Sequence, residues 1–97
     1  MLDLNEAHLE IVRAILARRL PGVEARVFGS RARGDARPMS DLDILLLQPN
    51  PLDALARANL RDDFSESDLP FRVDIVDAAT TDPDFLRSIE AESLPLQ

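Results

Sequence analysis

The spacing of apolar residues changes along the chain between a helical and a strand period, and these changes mark the predicted elements. Apolar positions at helical spacing predict an amphipathic helix over residues 3–22. Asp3 and Glu6 have the spacing of a capping box, and Pro21 with Gly22 predicts the end of the helix. The apolar stripe of this helix comprises Leu4, His8, Ile11, Val12, Ile15 and Leu16.

Three shorter segments predict strands. Residues 23–29 and 71–78 contain β-branched and aromatic residues, and residues 41–48 form the clearest strand. Residues 30–40 predict a loop or one short helical turn. A connection of about a dozen residues is short for a parallel crossover, so we expect the first two strands to be antiparallel.

Two more helices follow. Asn50 as N-cap and Pro51 at the first helical position open a helix between the second and third strands, which suits a parallel crossover. Its predicted apolar stripe comprises Leu52, Leu55, Ala56, Leu60 and Phe64. Asp82 and Pro83 begin a last helix, which we expect to fray through residues 94–95.

The order of elements, α-β-turn-β-α-β-α, predicts an α/β (α+β) fold with a small mixed β-sheet and helices packed on one face. Residues 1–97 are enough for a single domain with one modest core. A composition of 45% hydrophobic and 30% charged residues is that of a globular protein.

Composition and charge exclude several classes of site. The chain has no cysteine, and His8 is its one histidine, so any metal would have oxygen ligands, which favours Mg²⁺, Mn²⁺ or Ca²⁺ over zinc. All basic residues are arginines, which removes lysine as a catalytic base or phosphate ligand. A net charge of −7 argues against direct binding to nucleic acid backbones.

Neither end of the sequence suggests a membrane protein. No apolar run approaches the ~18–20 residues that span a bilayer, and Asp3 and Glu6 make the start unlike a signal peptide. We therefore expect a cytoplasmic protein without a membrane partner.

Three carboxylates are predicted to share one face of the sheet. Side chains alternate along a strand, so Asp41 and Asp43 point to one face and Ile44 to the other. If Ile75 shares the core side with Ile44, then Asp74 joins the two carboxylates. An Asp-x-Asp pair alone also suits a solvated strand start, but three clustered carboxylates repel one another unless protons, arginines or cations neutralise them. The three together favour a divalent-metal site.

The turn after the first strand is a candidate phosphate site. Gly29 allows close backbone approach, and Ser30 can cap the turn that begins at Arg31, which leaves N–H groups free for an anion. Arg31 and Arg33 add positive charge, and Gly34 ends the turn. Such sequences are common in surface turns and indicate little on their own. The position of this turn beside the carboxylates favours a functional site, because Mg²⁺ prefers carboxylates together with substrate phosphates.

Three segments together resemble the nucleotidyltransferase superfamily, which has a polymerase β palm-like fold. They are residues 29–34 (GSRARG), 40–43 (SDLD) and 73–76 (VDIV). The match is best with the smallest branch, the minimal nucleotidyltransferases, and spans nearly the whole chain. The tail over residues 85–96 (FLRSIEAESLPL) is also similar, although relatives often end in a Glu-Gly and Leu-Tyr pattern.

This resemblance implies roles for the carboxylates. Asp41 and Asp43 would bind Mg²⁺, with two ions expected. Asp74 would be the third catalytic carboxylate, a metal ligand and the acceptor of the attacking hydroxyl's proton.

The resemblance also implies the nucleotide and the reaction. Gly29 and Ser30 would hold the β- and γ-phosphates of ATP, with Arg33 as a further phosphate contact. An acceptor hydroxyl would attack the α-phosphorus, so that AMP is transferred and pyrophosphate is released.

Many minimal nucleotidyltransferases are antitoxins of HEPN-domain ribonuclease toxins, and the resemblance implies transfer of AMP to a tyrosine of such a partner. The chain itself contains no tyrosine. Two alternatives stay open. One is a nucleotidyltransferase for a small molecule such as an aminoglycoside, although those enzymes normally carry an extra helical domain. The other is a non-catalytic antitoxin that neutralises its partner by binding.

Apolar residues on the carboxylate face point to a partner surface. Leu45, Leu47 and Val76 fall on that face, where a short chain has little left to cover them. We expect them to be exposed for a partner unless the last helix or a loop covers them.

Overall fold

The computed structural model describes residues 2–97, which form one four-stranded sheet, four α-helices and a short 3₁₀ helix. The elements in chain order are α1 (Glu6–Arg19), β1 (Glu24–Phe28), α2 (Ser30–Arg33), β2 (Leu42–Leu47), α3 (Ala54–Ser65), β3 (Val73–Asp77), the 3₁₀ helix (Ala78–Thr80), α4 (Pro83–Glu92) and β4 (Leu94–Pro95). No helix within residues 2–97 is both long and apolar enough to cross a bilayer.

The sheet is mixed, with strand order β3-β2-β1-β4. β1 pairs antiparallel with β2, and β2 pairs parallel with β3 across the α3 crossover. Both predicted strand directions are therefore confirmed. They follow from the connections, because a short turn permits only an antiparallel neighbour and a full helix permits a parallel one.

The main core lies between the sheet and the first and third helices. Val12 and Leu16 of α1 and Leu60 of α3 are fully buried in one cluster with Ile44 and Leu46 of β2. The side chains of β2 that point away from the carboxylates thus anchor the strand.

The opposite face is covered by α4. Leu45 is fully buried there in a second cluster with Phe28 and Ile89, and Leu47 and Val76 pack against it. The expectation that Leu45, Leu47 and Val76 are exposed is therefore wrong. The helix that carries Ile89 returns across the sheet and removes their apolar surface from water. Helices consequently lie on both faces of the sheet rather than on one face as predicted, because α4 and the 3₁₀ helix cover the carboxylate side.

The first helix begins later than predicted. Its N-cap is Asn5, whose Oδ1 accepts a hydrogen bond from the His8 N–H at 2.8 Å. The capping box between Asp3 and Glu6 is wrong, because Asp3 Oδ2 accepts the N–H of Ala36 at 3.1 Å instead. Asp3 thus ties the start of the chain to the loop before β2.

The third helix also begins later. Asp53, not Asn50, is its N-cap, with Oδ1 accepting the Ala56 N–H at 2.7 Å. Residues before it stay extended because the Leu52 N–H donates to Oδ2 of the buried Asp77 at 2.9 Å. This tertiary hydrogen bond outweighs the local helix signal of Asn50 and its following proline.

The buried stripe of α3 is shorter than the pattern indicates. Leu60 and Phe64 are buried as predicted, whereas Leu55 is 71% exposed. Leu55 stands five positions before Leu60, which at about 100° per residue places it roughly 140° around the helix from the buried stripe, so it faces water.

The segment expected to fray forms a fourth strand. Residues 94–95 pair antiparallel with β1, and the Leu96 N–H donates to the Ala25 carbonyl at 2.9 Å. Arg26 fixes the junction with α4 through Nε to Ser93 Oγ at 2.6 Å. The edge of β1 is therefore covered, and β3 is the free edge of the sheet opposite β4.

Candidate active site

The three acidic residues singled out in the sequence lie together at one end of the two parallel strands. Asp43 of β2 and Asp74 of β3 are direct register partners. Asp41 lies one residue before β2, two positions from Asp43 and on the same side of the chain. Strand periodicity therefore placed these side chains correctly.

Gly29 lies directly against one of these carboxylates. The pairing of Phe28 with Asp43 brings the next residue of the chain alongside the Asp43 side chain. Gly29 has φ 75° and ψ −154°, a conformation that is essentially restricted to glycine. A Cβ at this position would overlap Asp43 Oδ2 and lie 3.3 Å from its Cγ. The backbone of Gly29 thus lies so close to the Asp43 carboxylate that no side chain fits at position 29.

The turn after Gly29 is the short helix α2. The Gly29 carbonyl accepts the N–H groups of Ala32 and Arg33, both at 3.0 Å. Gly29 is the N-cap, and Ser30 is the first helical residue, so the prediction that Ser30 caps the turn is wrong. Gly34 ends α2 in the left-handed conformation, as predicted.

Arg31 has a structural role rather than the expected place in the phosphate turn. It is 5% exposed, and its guanidinium donates to the carbonyls of Ser40 and Pro38, at 2.9 and 3.1 Å, and of Asp3 at 2.9 Å. Its Cζ lies 4.1 Å from the centre of the Phe71 ring. Arg31 therefore holds the loop before β2, and with it Asp41, against the rest of the domain.

Replacing Arg31 with lysine is expected to reduce the free energy of unfolding by about 2–3 kcal/mol, because an ammonium group cannot satisfy this fork of carbonyls or stack on Phe71. Chemical denaturation measures the loss. Arg33→Lys is the matched control, since Arg33 has a half-exposed side chain and its substitution should change stability much less than Arg31→Lys does. Equal losses in both variants would contradict this role.

Glu92 is a residue of the site that sequence reasoning missed. At the end of α4, its Oε1 accepts the Gly29 N–H at 3.1 Å, and its Oε2 lies 3.4 Å from Arg33 Nη1. Arg33 also pairs with Asp35 at 3.6 Å. No motif in the sequence singled out Glu92, which lies within the tail over residues 85–96 that resembles the family. Glu92 joins the turn to the last helix.

Comparison with known proteins decides the family. The family model of the nucleotidyltransferase domain matches residues 9–96, which is most of the chain. The chain belongs to this family of nucleotidyltransferases. Its fold and its family thus agree with the resemblance found in the sequence.

Relatives of this nucleotidyltransferase match over most of their lengths. "Probable protein adenylyltransferase MntA" of Haemophilus influenzae is 45% identical over 96 residues, which are 99% of this chain and 84% of that protein. A solved structure described as a minimal nucleotidyltransferase is 37% identical, with a TM-score of 0.70 over 93% of this chain and 90% of its own. A toxin–antitoxin crystal structure with AMP-PNP is 26% identical, with a TM-score of 0.76 over 92% of this chain and 72% of its own.

One carboxylate of the nucleotidyltransferase, that of Asp43, has a perturbed pKa. Burial raises the pKa of Asp43 above its ordinary value, and the charges of Asp74 and Asp41 raise it further. Arg33 acts in the opposite direction, and Glu92 adds to the rise. The site therefore carries more negative charge than its own arginine neutralises.

The three carboxylates are neighbours in the fold, but their side chains do not converge on one point as the ligands of a bound metal ion do. Within residues 2–97, no group of three His, Cys, Asp or Glu side chains has the arrangement to hold a metal ion. Arg72 Nη2 donates to Asp41 Oδ2 at 3.3 Å, which supplies one of the acids with an alternative positive partner. Repulsion between like charges favours side-chain rotamers that hold the carboxylates apart. Asp43 and Asp74 are neighbours because of the register of their strands.

Proposed function

We propose that this nucleotidyltransferase transfers AMP from ATP to a hydroxyl of a HEPN-domain toxin, with a tyrosine as the expected acceptor, and so acts as its antitoxin. The observation that carries the proposal is the juxtaposition of Asp41, Asp43 and Asp74 with the Gly29 turn. An acidic metal site beside a turn that can hold phosphates suits transfer from a nucleoside triphosphate.

Asp41 and Asp43 are the proposed Mg²⁺ ligands, with Asp74 as the third. The donor set fits this ion, because all three ligands are carboxylates, and because burial together with the charges of Asp74 and Asp41 raises the pKa of Asp43, which a cation would offset. Mg²⁺, in two sites by the resemblance, would supply positive charge for the phosphates and the attacking oxygen. Rotation of these side chains would be needed to complete the coordination, since within residues 2–97 no three such groups are arranged to hold a metal ion.

Gly29, Ser30 and Arg33 are the proposed contacts of the ATP phosphates. Gly29 lets the backbone approach without a side chain in the way, and Arg33 is half-exposed beside the turn. The toxin–antitoxin structure with AMP-PNP supports ATP as the nucleotide, since AMP-PNP is an analogue of ATP.

Asp74 is the proposed acceptor of the proton in the transfer step. It is exposed, so a hydroxyl of another protein can reach it. The hydroxyl oxygen forms a bond to the α-phosphorus while the bond from that phosphorus to the bridging oxygen breaks. Pyrophosphate leaves, and the proton goes to Asp74. Because the sequence contains no tyrosine, a modified tyrosine has to lie on the partner.

The test is to incubate the protein with ATP, Mg²⁺ and a HEPN-domain toxin, and to look for added AMP on the toxin by mass spectrometry. A mass increase of one or more AMP units on a tyrosine-containing peptide is expected. The proposal fails if no adduct forms while the protein still inhibits the toxin, and if Asp41→Ala/Asp43→Ala inhibits equally well. That result would favour a non-catalytic antitoxin.

Mg²⁺ is expected to raise the thermal unfolding midpoint, because a cation at the carboxylates relieves their repulsion and binds only the folded state. Thermal melts with and without millimolar Mg²⁺ measure the shift. The variant Asp41→Asn/Asp43→Asn should show no shift. If this variant responds as the wild type does, Mg²⁺ binds elsewhere.

Glu92→Ala is expected to raise the KM for ATP about fivefold, because the Gly29 turn loses the acceptor that fixes it to α4. Glu92→Gln keeps an oxygen for the Gly29 N–H and should restore most of the affinity. Glu90→Ala, on an exposed position of the same helix, is the control for loss of charge. Steady-state kinetics with the HEPN toxin would contradict the prediction if Glu90→Ala and Glu92→Ala behaved alike.

A further inference from the structure

A groove runs along the free edge of the sheet and ends at the candidate active site. It consists of two adjoining cavities of about 530 and 300 Å³ between α3 and β3, which share Arg61, Val73 and Asp74. We call it the β3-edge groove. Phe64, Phe71 and Arg72 line its larger part, and Arg57 lines the smaller one. Asp74 belongs to both cavities, so a chain lying in this groove runs beside the strand residue that carries the proposed proton acceptor.

Two arginines of this groove, Arg61 and Arg72, have at most one hydrogen-bond partner within residues 2–97. Nine of the eleven arginines donate to an oxygen of the protein, whereas Arg37 and Arg61 have no such partner within residues 2–97. Arg72 has a single one, Asp41, and its side chain is 84% exposed. In a chain of charge −7, the groove therefore presents the Arg61 guanidinium, which has no partner within residues 2–97, and the exposed Arg72 guanidinium, whose single surface ion pair leaves donors for an external anion.

Arg57 restricts how a partner can use this edge. Its Nη1 donates to the Ile75 carbonyl at 3.3 Å, and its Nη2 donates to the buried Asp77 at 3.2 Å. An outer carbonyl of β3 is thereby already occupied, so an incoming segment cannot pair along the whole edge as a fifth strand. Contact in the groove has to come from side chains.

We propose that the β3-edge groove binds the segment of the acceptor protein that carries the modified hydroxyl, and that Arg61 and Arg72 recognise a carboxylate beside that hydroxyl. Charge complementarity argues for this occupant, because an arginine fork binds a carboxylate with two parallel hydrogen bonds. The apolar wall of Phe64 and Phe71 would contact the neighbouring side chains of the segment. This inference rests on the proposed function, because it assumes that a hydroxyl of the acceptor protein is brought to Asp74.

The test compares Arg61→Ala and Arg61→Ala/Arg72→Ala with Arg87→Ala, an exposed arginine on α4 that removes the same charge away from the groove. Calorimetry with the HEPN toxin should give a Kd at least about tenfold higher for each groove variant, in line with the loss of a charge-assisted pair. The Kd for AMP-PNP should stay unchanged in Arg61→Ala. Circular dichroism verifies that these exposed substitutions leave the fold intact.

The two hypotheses fail in different ways. If the wild type transfers AMP and the groove variants bind the toxin as Arg87→Ala does, the groove proposal is overturned and the proposed function stands. If the wild type transfers no AMP but Arg61→Ala still weakens toxin binding, the function fails and the docking surface stands. If Arg61→Ala weakens only the binding of toxin that already carries AMP, the groove binds a phosphate and the carboxylate proposal is overturned.

A charge swap gives a second, independent measurement. Arg61→Glu should weaken toxin binding more than Arg61→Ala does, because a carboxylate in the groove then meets a like charge. Reversing an acidic residue near the modified hydroxyl of the toxin to arginine should restore binding to Arg61→Glu. No rescue by any acidic position of that segment would overturn the proposal.

Discussion

Asp43→Asn is expected to lower the rate of AMP transfer by at least about a thousandfold while it slightly stabilises the metal-free protein. The loss follows from removal of a carboxylate proposed to hold Mg²⁺, whose charge contributes several kcal/mol to such reactions. The gain in stability, on the order of 0.5 kcal/mol after screening by water, follows because an uncharged amide no longer repels Asp41 and Asp74. A substitution that lowers the transfer rate but raises the free energy of unfolding identifies an acid that serves catalysis and not folding.

The stability difference should depend on pH with a definite sign. Since the pKa of Asp43 is raised in the folded protein, the folded state binds a proton more readily than the unfolded state does. The stability that the protonated Asp43 side chain contributes to the wild type is fully present below the ordinary carboxyl pKa. It is lost as the pH rises through the raised pKa of Asp43. The advantage of Asp43→Asn should therefore appear at neutral pH and vanish in acid. Urea titrations of the wild type and of Asp43→Asn at neutral and at acidic pH, without Mg²⁺, measure this difference in the free energy of unfolding.

The control for Asp43→Asn is Asp35→Asn, which removes an exposed charge that pairs with Arg33 outside the carboxylate cluster. It should leave both the transfer rate and the stability nearly unchanged. A fall in the stability of Asp43→Asn at neutral pH would contradict the account of mutual repulsion. Transfer at the wild-type rate by Asp43→Asn would remove Asp43 from the proposed active site.

Gly29→Ala is expected to destabilise the protein by about 3 kcal/mol or more and to abolish AMP transfer. The backbone conformation of Gly29 costs an alanine roughly 1–3 kcal/mol, and the added methyl group overlaps the Asp43 carboxylate. Relief of the overlap requires movement of Asp43 or of the turn, and either movement separates the proposed metal ligand from the proposed phosphate contact. Chemical denaturation and the mass-spectrometric transfer assay give the two values.

Gly34→Ala is the matched control, because Gly34 has φ 85° but no atom within 4 Å of the place where a methyl group would lie. The substitution should cost only about 1–2 kcal/mol, which is the penalty of the left-handed backbone alone. The difference between the two variants measures the close approach to Asp43. Equal destabilisation, with transfer retained in Gly29→Ala, would refute the importance of this contact.

The parts of the fold and site that follow from local rules could be predicted from the sequence. Strand alternation placed Asp41, Asp43 and Asp74 on one side, and connection length gave the direction of both strand pairs. Gly29 and Gly34 marked the limits of a turn because glycine is required where the backbone adopts positive φ. Each of these features follows from a pattern within a single element or connection.

The features that could not be predicted depend on contacts between distant residues. Arg31 and Arg33 look alike in the sequence, and only the packing of Phe71 and the carbonyls around Arg31 distinguishes the buried one. Glu92 meets Gly29 across 63 positions of the chain. Residues 94–95 have no strong strand pattern, and they are extended because β1 offers them an edge.

The junction of α4 and β4 has a consequence for the order of events during synthesis. Glu92 fixes the Gly29 turn, and the strand that anchors Glu92 and Ser93 to β1 comes after them in the chain. A ribosome therefore makes Asp41, Asp43 and Asp74 well before the residues that set the geometry of the turn beside them. A nascent chain that has folded only as far as β3 would present the acids without a fixed phosphate turn. Competence for catalysis would begin only when residues 92–97 have emerged and paired.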